Sequence, residues 1–167
     1  TQDRVIRFNR NGCVARDLTV LAVTGSADTR RGIGVNAAGC VVDGGVFRSD
    51  TTPIHVYKGD SNTIRDVTEV TSDDDTGLTI RNNGPTTDTD LRAIDADATI
   101  TDLGTRTRWN GVIGGGPLGG VDLSSVNGQF DGDRAIADGT SAANAGDLAR
   151  WDEANTQWDV FQPEATV

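Results

Sequence analysis

Basic and aromatic side chains are scarce in this sequence of 167 residues, and methionine is absent. One Lys, one His and 14 Arg stand against 22 Asp and 3 Glu, which gives a net charge of −10. A protein that binds nucleic acid needs a basic surface, so this composition argues against that class of partner. Apolar runs stay well short of about 18 residues, so membrane insertion is not expected. The absence of Met predicts that Thr1 is not the biological start of the protein.

Cys and His are too few for the commonest metal and catalytic sites. Cys13 and Cys40 have no third Cys or His nearby to complete a tetrahedral zinc site. No motif places a Ser or Cys nucleophile beside the single His55, which we expect together with Tyr57 on the outer surface of a strand. The EF-hand spacing for calcium is also missing. The sequence therefore predicts no cofactor.

What the sequence does contain is a repeat between Arg4 and about Thr101. Each unit has an alternating apolar pair, a turn of small polar residues, and a second short strand. The four segments are 4–20, 32–47, 53–70 and 77–94, and their apolar pairs are Ile6/Phe8, Ile33/Val35, Ile54/Val56 and Leu78/Ile80. The matched positions Cys13, Cys40, Thr63 and Thr87 are 27, 23 and 24 residues apart. A period of this length indicates stacked units that bury their apolar faces against their neighbours.

The third segment carries a recognisable motif. Its run Ser61-Asn62-Thr63-Ile64-Arg65-Asp66-Val67 resembles the Asn-Thr-Ile-x-Asx-Val signature of right-handed parallel β-helices of the pectate-lyase-like superfamily. In that family apolar residues fill a narrow interior, and Asn and Thr stack at the corners. The resemblance implies an all-β fold, a right-handed parallel β-helix of about four to five coils with a small C-terminal β-hairpin cap. A β-sandwich is the alternative, since it would show turn signals every 8 to 12 residues, as this chain also does. The recurrence of the whole composite pattern at coil length favours the β-helix.

The two cysteines occupy equivalent positions in the repeat, each after Gly and before Val. In a solenoid they would stack on adjacent rungs, about 4.8 Å apart at Cα. A disulfide is possible at that distance. We favour a buried, reduced pair, because side chains in register on parallel rungs often point the wrong way for a bond.

The pattern changes after Thr101, where the chain becomes rich in Gly and then in Trp. The runs Leu148–Asp152 and Gln157–Phe161 predict a hairpin with its turn at 153–156. We therefore predict a parallel β-helix over 1–120 and a C-terminal β-rich cap or oligomerisation segment over 121–167, in which 121–130 forms a last coil or a strand. The hairpin also resembles the β-rich tails of viral fibre and spike proteins, where three chains pack together. The predicted homotrimer contacts are Trp109, Trp151, Trp158 and Phe161.

Carboxylates are the remaining candidates for chemistry. One set is predicted to recur at the same place in successive coils: Asp17, Asp43, Asp66 and Asp90. β-Helix enzymes that cleave polysaccharides use two or three carboxylates on an outer face, so this row is a candidate cleft of a glycoside hydrolase or polysaccharide lyase. The alternative is that each Asp only hydrogen-bonds a corner amide. A second set is a candidate site for a hard cation, or an ordinary acidic loop: Asp73, Asp74, Asp75 and Asp88.

The function is read from the acidic composition and the fold together. An acidic excess with almost no Lys resembles proteins of salt-loving archaea and their viruses, although an ordinary acidic secreted domain is the alternative. The leading prediction is a virion structural protein of a haloarchaeal virus, a homotrimeric spike, fibre or capsid decoration at the virion surface. Its expected partners are other virion proteins and a host surface glycan or glycoprotein. The alternatives are a polysaccharide-depolymerising β-helix enzyme and a secreted glycan-binding or adhesin module.

Overall fold

Strands make up nearly all the regular structure of this protein. The computed structural model describes residues 4–21, 31–48, 52–69, 79–83, 86–94, 99–141 and 143–161. Its residues group into two compact units, Thr1–Thr105 and Arg106–Val167. Within the described ranges the only helix is a 3₁₀ turn at Gly116–Leu118, and none could span a bilayer.

The first unit is a parallel β-solenoid of about four turns, which confirms the predicted fold class. One sheet stacks β1 (Arg4–Phe8), β3 (Arg31–Val35), β5 (Thr52–Val56), β8 (Thr79–Asn82) and β11 (Thr99–Asp102). The second stacks β2 (Val14–Leu21), β4 (Val41–Arg48), β7 (Thr63–Glu69) and β10 (Asp90–Arg92). A small corner sheet pairs β6 (Gly59–Asp60) with β9 (Thr86–Thr87). All these pairings are parallel, so each coil hydrogen-bonds to the next along its length.

Rows of aliphatic side chains fill the solenoid. Ile33, Ile54 and Ile80 are in register on the first sheet, and all three are completely buried. Ile6 and Ile100 continue the row in the two edge strands of this sheet, β1 and β11, and both are partly exposed. The facing row on the second sheet is buried throughout and consists of Ala15, Val42, Ile64 and Leu91. Burial of these rows is the main favourable term in the stability of the unit.

The fourth coil is shifted by two residues from the predicted alignment. Ile80, and not Leu78, is in register with Ile54, so Asn82 takes the position that Val56 holds one rung earlier. Leu78 itself lies outside the described residues. The predicted apolar pair of this coil was therefore wrong, because the sequence pattern treated Ile80 as the second member of the pair when it is the first.

Asn82 is a polar side chain in the core, and its amide is satisfied there. Its Nδ2 donates to Asp102 Oδ1 at 2.8 Å. Its Oδ1 accepts from Thr86 Oγ1 at 2.7 Å and from Thr89 Oγ1 at 3.3 Å. A buried amide with these partners avoids the penalty of an unmade hydrogen bond. Apolar alternation, the signal used to align the coils, cannot identify such a position.

The corner after the first sheet is stacked as the resemblance implied. Cys13 and Cys40 are on adjacent rungs, as predicted, and both are free thiols. The next member of the row is Asn62, and not Thr63 as predicted. Asn62 is buried; its Oδ1 accepts from the Cys40 N–H at 2.9 Å, and its Nδ2 donates to Gly59 O at 3.1 Å. Burial raises the pKa of Cys40, so its thiol stays protonated at neutral pH.

The second unit is a mixed sheet that ends in the predicted hairpin. Its strands are β12 (Arg108–Trp109), β13 (Val112–Ile113), β14 (Arg134–Ile136), β15 (Leu148–Asp152) and β16 (Gln157–Phe161), adjacent in that order. The bounds of β15 and β16 confirm the hairpin residue for residue, with Trp151 opposite Trp158. The prediction of a coil or strand over 121–130 was wrong. That segment has a single bridge, Val121 to Ala137, and otherwise forms turns.

Candidate functional site

The register of the second sheet separates the carboxylates that were expected to share one row. Only Asp17 and Asp66 share a row, two rungs apart with Gly44 between them. When the strands are aligned by their backbone pairing, Asp43 lies one position before this row and Asp90 lies three positions before it. The alignment was wrong because the four Asp are 26, 23 and 24 residues apart, and none of these steps equals the step between the corresponding rungs. Matched positions Val14, Val41, Thr63 and Asp90 are 27, 22 and 27 residues apart.

Asp43 is part of an ion-pair ladder on the outside of the second sheet. Arg65, on the next rung, donates through Nε and Nη2 to both oxygens of Asp43, at 2.9 and 2.7 Å. Arg16, on the preceding rung, lies 3.6 Å away. The hydrogen bond from Arg65 is the main reason that the pKa of Asp43 is lowered. A carboxyl group with a lowered pKa is a poor proton donor at neutral pH, so Asp43 is unsuited to act as a general acid.

Asp17 and Asp66 belong to a row with left-handed backbone. The φ angles of Asp17, Gly44, Asp66 and Ala93 are 48°, 70°, 54° and 46°. Asp and Gly are among the residues that best tolerate this region, because Gly lacks a Cβ and the Asp side chain can hydrogen-bond locally. The recurrence of Asp at this place therefore has a structural cause, the left-handed backbone at the same position inside β2, β4 and β7. Catalysis by the four Asp stays a prediction.

Ala93 is the poorly suited member of this row, and replacing it should stabilise the protein. Ala93 is exposed with φ 46°, so Ala93→Gly removes a Cβ from a strained backbone. We expect the free energy of unfolding to rise by up to about 1 kcal/mol in a urea titration. Ala145→Gly, at an exposed position without positive φ, serves as the control and should lower stability. Equal effects of the two changes on the free energy of unfolding would contradict the backbone strain at Ala93.

The predicted cation loop lies mostly outside the described part of the chain. Asp73, Asp74 and Asp75 lie outside the described residues, and Asp88 is buried with φ 53°. Over the ranges that the structure covers, no group of three or more His, Cys, Asp or Glu could hold a metal ion. The cation site at these four residues stays a prediction.

His55 is not the surface residue that alternation predicted. It is only 2 % exposed, and its ring stacks on Tyr57 with centroids 3.7 Å apart and planes 14° apart. Its neighbour on the preceding rung is Gly34, which has no side chain to occupy the space above the strand. Alternation correctly placed His55 on the same face as Tyr57, but it did not predict the burial of His55.

The four predicted contact residues occupy different environments in the second unit. Trp151 is buried, Trp109 and Trp158 are half-buried, and Phe161 is 53 % exposed. Trp109 packs on the 3₁₀ turn, where a Cβ added to Gly116 would come within 2.6 Å of its ring. Burial of Trp151 is achieved inside one chain, so this residue is the least suited to a contact between chains. The homotrimer contact stays a prediction.

A cleft of about 390 Å³ opens beside the hairpin in the second unit. Its aromatic wall is the pair Trp151 and Trp158, whose rings meet edge to face at 5.2 Å and 64°. Its polar lining includes Ser124, Asn127, Ser141 and Gln157. The described residues that line it include no charged side chain, although the protein carries a net charge of −10. This neutral cleft was not predicted, since its lining is dispersed over 123–160.

The aromatic wall is held in place by its surroundings. The Trp158 indole N–H donates to Val126 O at 2.6 Å. The backbone at Gly128 packs directly against Trp151, since a Cβ on residue 128 would lie 2.7 Å from Trp151 Cδ1. The backbone N–H of Trp151 donates to the backbone carbonyl of Asp133 at 2.7 Å. Rigid aromatic side chains are the usual contact surface of a preformed binding site.

A largely buried ion pair supports the turn behind Trp151. Arg108 donates through Nη1 and Nη2 to the two oxygens of Asp133, at 3.2 and 3.1 Å. Burial alone would raise the pKa of Asp133, but hydrogen bonds from the Gln129 N–H, Arg108 and the Phe130 N–H together lower it. The pair keeps the 129–133 turn closed against β15. It was not among the residues singled out in the sequence.

Comparison with known proteins adds no relative to these observations. No family model, curated protein or solved structure matches the chain.

Proposed function

We propose that this chain is a structural protein of a virion surface in concentrated salt, a homotrimeric spike, fibre or capsid decoration of a virus of salt-loving archaea. In this proposal the solenoid is a pectate-lyase-like right-handed β-helix that serves as a rigid body. Its C-terminal hairpin joins three chains. Other virion proteins and the host surface are its partners.

The observation that carries the proposal is the exposed, apolar last strand. Among the described residues β16 pairs with β15 only, and Val160 and Phe161 are 37 % and 53 % exposed. An edge strand with apolar side chains is prone to pairing with another chain, and monomeric proteins generally protect such edges. A second copy of the same chain would cover both the unpaired edge and the exposed apolar side chains.

The charge distribution fits a high-salt setting. Aspartate dominates the acidic residues, and the solenoid uses arginine in its side-chain ion pairs, as in Arg65–Asp43 and Arg92–Asp90. Arg binds a carboxylate through two parallel hydrogen bonds, a geometry that Lys cannot provide. The uncompensated charge of −10 still opposes folding and assembly at low ionic strength.

Salt should therefore stabilise the protein. At about 1 M KCl the Debye length is roughly 3 Å, against roughly 10 Å at 0.1 M, so repulsion among surface carboxylates is largely screened. We expect the melting temperature in 1 M KCl to exceed that in dilute buffer by at least about 5 °C. Circular dichroism melts measure this directly. Equal melting temperatures in the two buffers would contradict the high-salt assignment.

Immunogold electron microscopy tests the virion assignment. Antibodies against the purified chain would be applied to particles from an infected halophilic culture and to washed host envelopes. Labelling of the particle surface is the expected result. Labelling of the uninfected host envelope alone would contradict the proposal and indicate a cellular adhesin. Pre-immune serum on the same particles is the matched control.

A further inference from the structure

We propose that the neutral cleft beside the hairpin binds an uncharged saccharide. The inference rests on the cleft itself and does not require the chain to be a virion protein. The cleft is defined by Trp151 and Trp158 on one wall and by Ser124, Asn127, Ser141 and Gln157 among its polar lining. Its volume of about 390 Å³ suits one or two sugar rings rather than a folded partner.

The chemistry of the lining selects the class of ligand. A sugar has apolar C–H faces that pack on an indole ring and a rim of hydroxyl groups that both donate and accept hydrogen bonds. The cleft offers both kinds of surface, because its aromatic wall stands beside serine hydroxyls and side-chain amides. With no charged side chain in its described lining, the cleft has no oppositely charged partner for a phosphate, carboxylate or ammonium group.

Ser141 gives an independent indication that a polar ligand belongs here. Its Oγ is buried and has no hydrogen-bond partner among the described residues. Buried hydroxyls are nearly always hydrogen-bonded, and leaving one without a partner costs about 1–3 kcal/mol. A rotation of the Ser141 side chain about χ1 would turn its hydroxyl toward the cleft, where a sugar hydroxyl would provide that partner. Ser141 lines the same cleft as the two Trp, so one ligand would pack on the aromatic wall and also hydrogen-bond to Ser141.

The test is a titration of the purified full chain with neutral sugars, followed by tryptophan fluorescence and by calorimetry in about 1 M KCl. The probes are glucose, galactose, mannose, N-acetylglucosamine, cellobiose and maltose. We expect at least one of them to bind with a dissociation constant of about 1 mM or tighter. Glucuronic acid and glucosamine serve as charged analogues and should bind at least about tenfold more weakly, because their charge would be desolvated without a partner.

Three variants separate recognition from stability. Trp158→Ala should abolish binding, and Ser141→Ala should weaken it about fivefold or more through the loss of one hydrogen bond. Ser141→Ala removes no packing of consequence, so it keeps the proposal testable if Trp158→Ala fails to fold. Trp109→Phe, outside the cleft, is the matched control and should bind like the unmodified chain. Absence of binding by every neutral sugar, equal binding of the charged analogues, or unchanged affinity in Ser141→Ala would overturn the proposal.

Discussion

Replacing Gly59 by Ala is expected to destabilise the first unit by about 3–5 kcal/mol. Gly59 has φ +106°, a region that residues with a Cβ rarely adopt. A Cβ built there would lie 2.8 Å from Ala38 N and closer still to the Ala37 carbonyl. Both obstacles are backbone of the preceding coil, so they cannot move without separating two rungs. The corner sheet formed by β6 and β9, which holds Gly59, would have to shift as well.

Gly12→Ala is the matched control for this prediction. Gly12 also has positive φ, +72°, but a Cβ there would have nothing within 4 Å. Its cost should therefore be the conformational term alone, about 1 kcal/mol. Urea titrations give the free energy of unfolding of both variants. The additional loss in Gly59→Ala over Gly12→Ala measures the cost of the clash with the preceding coil. Equal losses in the two variants would show that the close approach of the coils at Gly59 is not present.

Ile54→Ala should be the most damaging truncation in the solenoid, with an expected loss of about 4 kcal/mol. Ile54 is completely buried and packs in register between Ile33 and Ile80, so neighbours on both sides would lose contacts. Parallel rungs are fixed to one another by backbone hydrogen bonds, and they cannot readily collapse into the cavity. For a domain whose stability is about 5–15 kcal/mol, this loss is a large fraction.

The control for Ile54→Ala is an aliphatic residue at the surface. Val14, at the start of β2, is 54 % exposed. Val14→Ala should change the free energy of unfolding by less than about 0.5 kcal/mol. Guanidinium titrations followed by circular dichroism compare the two variants. A loss below about 1.5 kcal/mol for Ile54→Ala would contradict its central place in the core.

The features that could be predicted from the sequence are those with local signals. The hairpin was located to the residue, because aromatic strands flank a turn rich in polar residues at 153–156. Asn62 was correctly assigned to a corner, because its motif joins a polar corner residue to an apolar strand. The equivalence of Cys13 and Cys40 was also correct, since the first two coils have nearly identical patterns around them.

The register of the later coils could not be predicted, for two physical reasons. Core positions are not always apolar, and Asn82 occupies one with its amide satisfied by Asp102 and Thr86. The coils also differ in length, so counting from one to the next accumulates error. The predicted row of Asp failed for a simpler reason in the first two coils: Asp43 follows Asp17 by 26 residues where the rungs are 27 apart, so Asp43 belongs to the row of Arg16 and Arg65.

The neutral cleft had no sequence signal of its own. Its polar residues are ordinary loop residues until the fold brings Ser141 beside Trp158. The resemblance of the hairpin to viral fibre tails assigned both Trp to a contact between chains. The structure offers a second role for one of them, since Trp158 is only half-buried and faces the cleft. Composition alone cannot distinguish a chain contact from a ligand contact.

The mass of the purified chain in about 1 M KCl tests the structural proposal most directly. Light scattering behind a sizing column should give three times the chain mass of 17.5 kDa. Phe161→Asp, which places a charge at the exposed end of β16, should reduce this to the mass of one chain. A mass of 17.5 kDa for the unmodified chain at every concentration and salt level would contradict the assembly on which the proposed function depends.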